Sequence, residues 1–244
     1  MTNIIELTDL TKTFGPKTAV KSLNLKVARG EIFGWLGPNG SGKTTTIKMI
    51  TGLYRPTRGR VSIGGFDLEK EPIKAKALVG YIPDEPFVYE QLTGFEFLNF
   101  VGAIFGIPPA PRRAKIAGLL ELFPNMESVD GCFQDYSRGT KQKFTILAAL
   151  LHDPQVLVID EPMVGLDPES IRIFKNMLRD FVAGGDRTVF VSTHSLETAE
   201  SVCTRIGILK SGSLIETGTL SELQDSARLS AGGLEELFLV LTNA

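Results

Sequence analysis

The stretch Gly37-Pro38-Asn39-Gly40-Ser41-Gly42-Lys43-Thr44 decides the fold. It follows a short apolar run, Ile32–Leu36, and opens a helical one in which Thr45, Ile47, Met49 and Ile50 set the spacing. That strand–loop–helix context is what the phosphate-binding pattern G-x-x-x-x-G-K-[ST] requires. Glycines let the backbone turn sharply and bring N–H groups close to phosphate oxygens. The helix N-terminus adds a dipole worth about 0.3–1 kcal/mol per neighbouring charge. Lys43 brings a point charge to the β- and γ-phosphates, and Thr44 a hydroxyl for Mg²⁺. Gly37 through Thr45 are therefore the candidate nucleotide-binding residues.

Outward from this loop, short apolar runs alternate with helical patterns, which predicts an α/β fold with a largely parallel sheet. Residues 156–159 and Thr188–Ser192 are apolar enough for strands covered on both faces. Residues 4–14 and 19–27 instead alternate apolar and polar side chains, as half-buried antiparallel strands do. Ile171, Phe174, Met177, Leu178 and Phe181 recur at helical spacing after Pro168. Residues 87–151 read as mainly helical, a subdomain inserted between a core of residues 1–86 and 152–244. From about Gly207 the sequence holds two more short strands and an end helix around residues 234–241.

Bulk properties narrow the function. In 244 residues, 26 Lys and Arg face 28 Asp and Glu, a formal net charge of -2. This balance does not suit a nucleic-acid binder that relies on bulk positive charge, so no nucleic-acid partner is expected. Cys132 and Cys203 lie in no metal-ligand spacing and read as core thiols of a reducing cytosol. No apolar stretch is long enough to span a bilayer, and the first residues lack the pattern of a secretory signal. A protein of this kind that works at a membrane must dock onto another chain.

The second chemical constellation is Val156-Leu157-Val158-Ile159-Asp160-Glu161. Carboxylates at the end of a buried strand face the crevice where α/β sheets bind ligands. Asp160 is placed to hold Mg²⁺ and Glu161 to polarise an attacking water, a general-base role worth ~10²–10⁴-fold. Together with the glycine loop these residues indicate a nucleoside triphosphatase or a kinase. Three further motifs narrow the choice. Tyr136-Ser137-Arg138-Gly139-Thr140-Lys141-Gln142-Lys143 opens a helix, Val164-Gly165-Leu166-Asp167 comes soon after Glu161, and Val191-Ser192-Thr193-His194 ends the next apolar strand. With these in order along nearly the whole chain, the sequence resembles the nucleotide-binding domain of ATP-binding cassette (ABC) transporters.

The resemblance implies a role for each matching residue. Phe14 matches the aromatic that stacks on adenine. Ser137 and Gly139 match the signature that contacts the γ-phosphate held by a partner subunit. Asp167 matches the loop along the dimer interface, and His194 the switch histidine that reaches the γ-phosphate; His152 reads as structural. The implied machine is a Mg²⁺-dependent ATPase in which a homodimer or pseudo-symmetric dimer sandwiches ATP head to tail. It would drive a separate membrane permease from the cytoplasmic face of the membrane. The form of the signature and the ending Leu234-Glu235-Glu236-Leu237-Phe238 resemble the exporter branch; importer subunits and soluble ABC ATPases are the alternatives. Two departures stand out. The usual signature begins Leu-Ser-Gly-Gly-Gln, whereas Tyr136, Arg138 and Thr140 replace its Leu, first Gly and Gln here. Asp84, in Tyr81-Ile82-Pro83-Asp84, stands where the family's Q-loop has Gln; it is a candidate catalytic and metal residue, but an ionised Asp donates no hydrogen bond. Tyr81, Phe87, Tyr89, Phe95, Phe97, Phe100 and Phe105 crowd residues 81–105, where the family receives a helix of the membrane subunit. These aromatics either meet that helix or fill the helical subdomain's own core; Phe87, Val88 and Tyr89 are the expected contacts.

Overall fold

The structure is a computed structural model that describes residues 2–161, 163, 165–226 and 234–243. Val164 of the loop before Asp167 lies outside the described residues. Two long strands, β1 (Asn3–Phe14) and β2 (Lys17–Ala28), pair antiparallel at the start. β3 (Ile32–Leu36) leads into α1 (Lys43–Ile50). β4 (Arg58–Ile63), β5 (Phe66–Asp67), α2 (Pro72–Ala77) and β6 (Val79–Ile82) come next. The segment after them is helical: α3 (Gly94–Ile104), α4 (Pro109–Leu120), a 3₁₀ turn at Phe133–Asp135 and α5 (Arg138–Leu150). The chain then alternates through β7 (Val156–Asp160), α6 (Pro168–Val182), β8 (Thr188–Ser192), α7 (Leu196–Val202) and β9 (Arg205–Lys210). β10 (Ser213–Gly218), α8 (Leu220–Ser226) and α9 (Leu234–Asn243) are the last described elements.

The α/β reading with an antiparallel N-terminal sheet holds. One sheet runs β2-β1-β4-β5 and is antiparallel throughout; the other runs β10-β9-β3-β8-β7-β6. In the second sheet the neighbours from β9 to β6 are parallel, and only β10 turns back. Every residue of β3, β7 and β8 is buried, as a sheet covered on both faces demands. Their side chains alternate between two cores. Phe33, Trp35, Val156, Val158 and Phe190 face α1 and the antiparallel sheet, with Phe33 stacked on Phe190 at 5.5 Å. Leu157, Ile159, Val189 and Val191 face α5 and α6. The sheet's carboxyl ends thus come to one edge, and the functional loops leave from it.

The helical segment adds an aromatic cluster to the core it shares with the sheet. Tyr136 stacks on Phe144 at 5.5 Å, and Phe133 meets both edge-on. Tyr136, one of the departures from the usual signature, is therefore a packing residue. Thr93 and Glu96 cap α3 reciprocally. His152 is structural as expected: its ring stacks on Phe105 at 3.7 Å and bonds the Val79 carbonyl at 3.1 Å. Cys203 packs against the core, where burial pushes its thiol up to about 12. Cys132 differs from expectation; it is half-buried in an isolated bridge to Thr93 rather than deep in the core.

α6 starts at a cap that also ties it to α5. The Asp167 carboxylate accepts from the Ser170 N–H at 2.9 Å and the Ser170 hydroxyl at 2.6 Å, and pairs with Lys143 at 3.1 Å. The Ser170 bonds, then Lys143, hold the carboxyl well below the usual carboxylate range. A lowered folded-state pKa contributes stability above the unfolded value, near ~3.9, and loses it as the pH falls toward the folded one. Asp167→Ala is expected to cost about 1 kcal/mol in denaturant unfolding at neutral pH. That difference should shrink as the pH drops below ~4; a cost that is unchanged in acid would remove the charged cap as its cause.

Candidate nucleotide-binding site

The glycine loop runs from the end of β3 to the start of α1. Gly42 caps α1 with φ 110°, and a Cβ there would lie 2.5 Å from the Ala19 carbonyl, so only glycine fits. The first N–H groups of α1 have no intrahelical partner and point into the loop. Lys43 folds back over them: its Nζ donates to the carbonyls of Gly37 at 2.7 Å and Pro38 at 3.3 Å. Burial lowers the Lys43 pKa, and the charges of Glu161 and Asp160 oppose that shift.

The carboxylates come from the neighbouring strands. Register sets Asp160 opposite Ser192 and Ile159 opposite Val191. The Ser192 hydroxyl donates to Asp160 Oδ1 at 2.5 Å, while Oδ2 is buried without a hydrogen-bond partner. Burial raises the Asp160 pKa; Ser192 and the adjacent Thr44 hydroxyl pull it back toward the charged form. Glu161 leaves β7 with φ 48°, a left-handed conformation that costs of order 1–3 kcal/mol in a residue with a side chain. The turn is held by its N–H bond to the Ser192 carbonyl at 3.2 Å. It aims the Glu161 carboxylate at His194, whose Nδ1 lies 2.5 Å from Oε2.

These groups surround a cleft of about 510 Å³. Phe14, Asn39, Gly40, Gly42, Lys43, Thr44, Thr45, Asp84, Glu161 and His194 all line it. Phe14 is 44% exposed at the rim, with its edge on Tyr54 at 5.6 Å. Asp160 is fully buried behind the cleft, and Ser41 lies beneath the loop with a buried, unpartnered Oγ. Gly37 and Pro38 face a second hollow of about 260 Å³, shared with Asn39, Thr193, His194 and Phe238. Ser137 and Gly139 line neither: the Ser137 hydroxyl caps α5 by accepting from the Thr140 N–H at 3.1 Å. Gly139 packs so close to the Gly165 carbonyl that a Cβ would sit at 2.5 Å.

Sequence reasoning did not place Lys17 and Ala19 of β2, or Glu85, at the cleft. Glu85 belongs to the Q-loop stretch but has no assigned role there, and no motif marks Lys17 or Ala19; β2 reaches the loop only through the packing of the two sheets. Ser192 was in view as part of a strand end, but its bond to Asp160 comes from register alone. The donor set suits a hard cation. A buried carboxylate oxygen without a partner and the Thr44 hydroxyl beside it are oxygen groups of the kind that Mg²⁺ takes together with phosphate and water. Asp84 also lines the cleft, and its Oδ1 accepts from the Glu85 N–H at 2.9 Å.

A glycine loop at a helix N-terminus, a buried lysine and two strand-end carboxylates on a parallel sheet define a P-loop nucleoside-triphosphate-binding protein. More narrowly, the chain belongs to the ABC transporter family, whose sequence model matches residues 20–164. It is similar to the linearmycin resistance ATP-binding protein LnrL of Bacillus subtilis (strain 168), at 36% identity over 243 residues. That alignment covers 97% of this chain and 78% of the relative. The bacitracin transport ATP-binding protein BcrA of Enterococcus faecalis is 36% identical over 228 residues, covering 93% of this chain and 73% of BcrA. A solved ATP-binding subunit of an ABC transporter superposes with a TM-score of 0.92 at 34% identity, over 98% of this chain and 99% of that one. A dimeric ATP-binding cassette in a post-hydrolysis state, bound to ADP and Pi, gives 0.80 at 25% identity, over 89% and 99%. The resemblance read from the motifs therefore holds: this is an ATP-binding subunit of a family that couples ATP hydrolysis to transport.

Lys43→Ala removes the cation over the loop. A hydrogen bond to a charged group is worth about 1.5–3 kcal/mol, so ATP affinity by calorimetry should fall roughly 10- to 100-fold. Unchanged affinity would mean that nucleotide binds elsewhere.

Proposed function

We propose that this chain is a Mg²⁺-dependent ATPase subunit that powers a separate membrane permease, with export as the direction of transport. The observation that carries the catalytic part is the Glu161–His194 contact at 2.5 Å, beside Lys43 and Thr44 in one cleft. Phe14 stacks on the adenine, and residues 37–45 hold the phosphates. Thr44 and Asp160 hold Mg²⁺, with Asp84 facing the same space. When bound, Mg²⁺ supplies charge neutralisation for the phosphate oxygens. Glu161 takes a proton from water as the water oxygen bonds to the γ-phosphorus. The bond from that phosphorus to the bridging oxygen breaks, and its electron pair leaves with ADP. His194 orients Glu161 and donates toward the γ-phosphate.

Ser137 and Gly139 lie off the cleft, which supports completion of each site by the signature of a second copy. A two-fold, self-complementary dimer closes two such sites. The solved relative bound to ADP and Pi is dimeric, in keeping with this arrangement. Loss of the γ-phosphate removes contacts to both copies and loosens the dimer. Residues 87–151 act as the helical subdomain that transmits the motion.

The permease meets the chain beside β6. A groove of about 530 Å³ is lined by Leu53, Tyr81, Phe87, Val101 and Phe105 among others, and Phe87 is 75% exposed. Aromatic residues are favoured in docking surfaces. Of the expected contacts, Phe87 lines this groove. Tyr89 packs between Phe87 and Phe100 at its side, and Val88 packs against the helical core. No helix among the described residues is long and apolar enough to cross a membrane, and the chain is read as a peripheral subunit at the cytoplasmic face. Export accords with relatives named for linearmycin resistance, bacitracin transport and Nod factor export.

Glu161→Gln tests the base. ATP binding should persist, turnover should drop by ~10²–10⁴-fold, and ATP should hold the variant as a dimer in light scattering. Turnover at the parent rate would remove Glu161 from that role.

A further inference from the structure

The roles above leave several lining residues of the cleft unused, Lys17, Ala19, Glu85 and Arg138, and of these Arg138 makes a contact that calls for an account. Arg138 belongs to the signature, whose family partners Ser137 and Gly139 lie off this cleft, yet its own side chain reaches in. Its Nη2 donates to the Asp84 carbonyl at 3.3 Å, across from the turn after β6. Its stem passes Gly165, where a Cβ would meet Arg138 Cγ and Cδ at 3.4 Å. One side chain thus joins the start of α5, the turn after β6 and the loop before α6.

The charges explain why a cation is needed there. The acidic residues Asp84, Glu85 and Glu161 line the cleft, and Asp160 lies behind it. Against them stand Lys43, Lys17 and Arg138. A nucleoside triphosphate adds several more negative charges, and the Asp84 carboxylate repels them. A planar guanidinium can spend one N–H on the Asp84 carbonyl and still offer others to a phosphate. We propose that Arg138 acts in cis as a cation for the phosphate end of the nucleotide held by its own subunit, offsetting the carboxylate of Asp84. Arg138 and Asp84 then function as a compensating pair. This rests on the reading of the cleft as the ATP site, and is separate from the contact that Ser137 and Gly139 make across a dimer.

The test is ATP and ADP binding, measured by calorimetry at concentrations where light scattering shows a monomer. Arg138→Gln should lower ATP affinity roughly tenfold and ADP affinity much less, so the ATP-to-ADP ratio falls. A merely structural bridge would move both nucleotides alike. Arg138→Lys should restore most of the ratio. In the Asp84→Gln background the same Arg138→Gln change should cost little, a non-additive cycle. Three results overturn the inference: an unchanged ratio, additive effects, or an Arg138 effect seen only when the dimer forms. If the parent chain binds no ATP and matches Lys43→Ala, the ATP reading itself falls, and the inference with it. A parent that binds ATP while Arg138→Gln is indifferent sinks the inference alone.

Discussion

Parallel register is the constraint on which the site depends. β3, β8, β7 and β6 lie side by side and point the same way, so the loops that leave these strands emerge at a common edge. The glycine loop leaves β3, Glu161 comes directly after β7, His194 is the second residue beyond β8, after Thr193, and Asp84 the second beyond β6, after Pro83. A slip of one residue in β7 would turn Asp160 away from Ser192 and put every apolar side chain of that strand on the wrong face. Because each of β3, β7 and β8 is buried on both faces, such a slip is heavily penalised. The hydrophobic core and the geometry of the candidate site are therefore set by the same pairing.

Register also separates the features that were legible in the sequence from those that were not. The glycine loop and the Asp160-Glu161 pair are local patterns whose chemistry needs a strand on one side and a turn or helix on the other, so they could be read before any fold was known. Strands with uniform burial, such as residues 156–159, announce themselves by composition. The β4–β5 hairpin does not: it turns on Gly64-Gly65, both at positive φ, but β5 holds only two residues and carries no periodicity. Lys17 and Ala19 reach the cleft through sheet-on-sheet packing, which no local window contains. Gly37 and Pro38 read as part of the phosphate grip, yet they face the hollow shared with Phe238 of α9, a long-range neighbour.

The departures from the family pattern are resolved unequally by three-dimensional context. Tyr136 fills an aromatic core and its ring replaces one apolar anchor with another, with its hydroxyl bonded to the Ser128 carbonyl. Thr140 is enclosed as well: its N–H donates to Ser137 and its hydroxyl to Glu127 at 3.0 Å. Those two changes belong to the stability of α5. Asp84 and Arg138 are of another kind, since both are exposed and meet at the cleft. A change in charge at one site of a crowded anion pocket shifts the field at every other, which makes the pair more informative than either alone.

On the proposed reading, the loop's own hydrogen bonds would keep a phosphate grip reversible. Lys43 bonds two carbonyls of its own loop, and Ser137 spends its hydroxyl on the start of α5. A phosphate oxygen at the loop must displace those carbonyls from Lys43, so hydrogen bonds are exchanged rather than simply added. The net gain from such an exchange is modest, of order 0.5–1.5 kcal/mol per neutral bond. Beyond that exchange there is the gain from charge: an anion meets the α1 N-terminus and a lysine in a partly buried cleft, where a neutral carbonyl cannot compete. Binding that rests on charge responds steeply to a phosphate's departure, because the cleaved γ-phosphate takes its charge with it. The same internal bonds that satisfy the loop therefore make it sensitive to the difference between ATP and ADP.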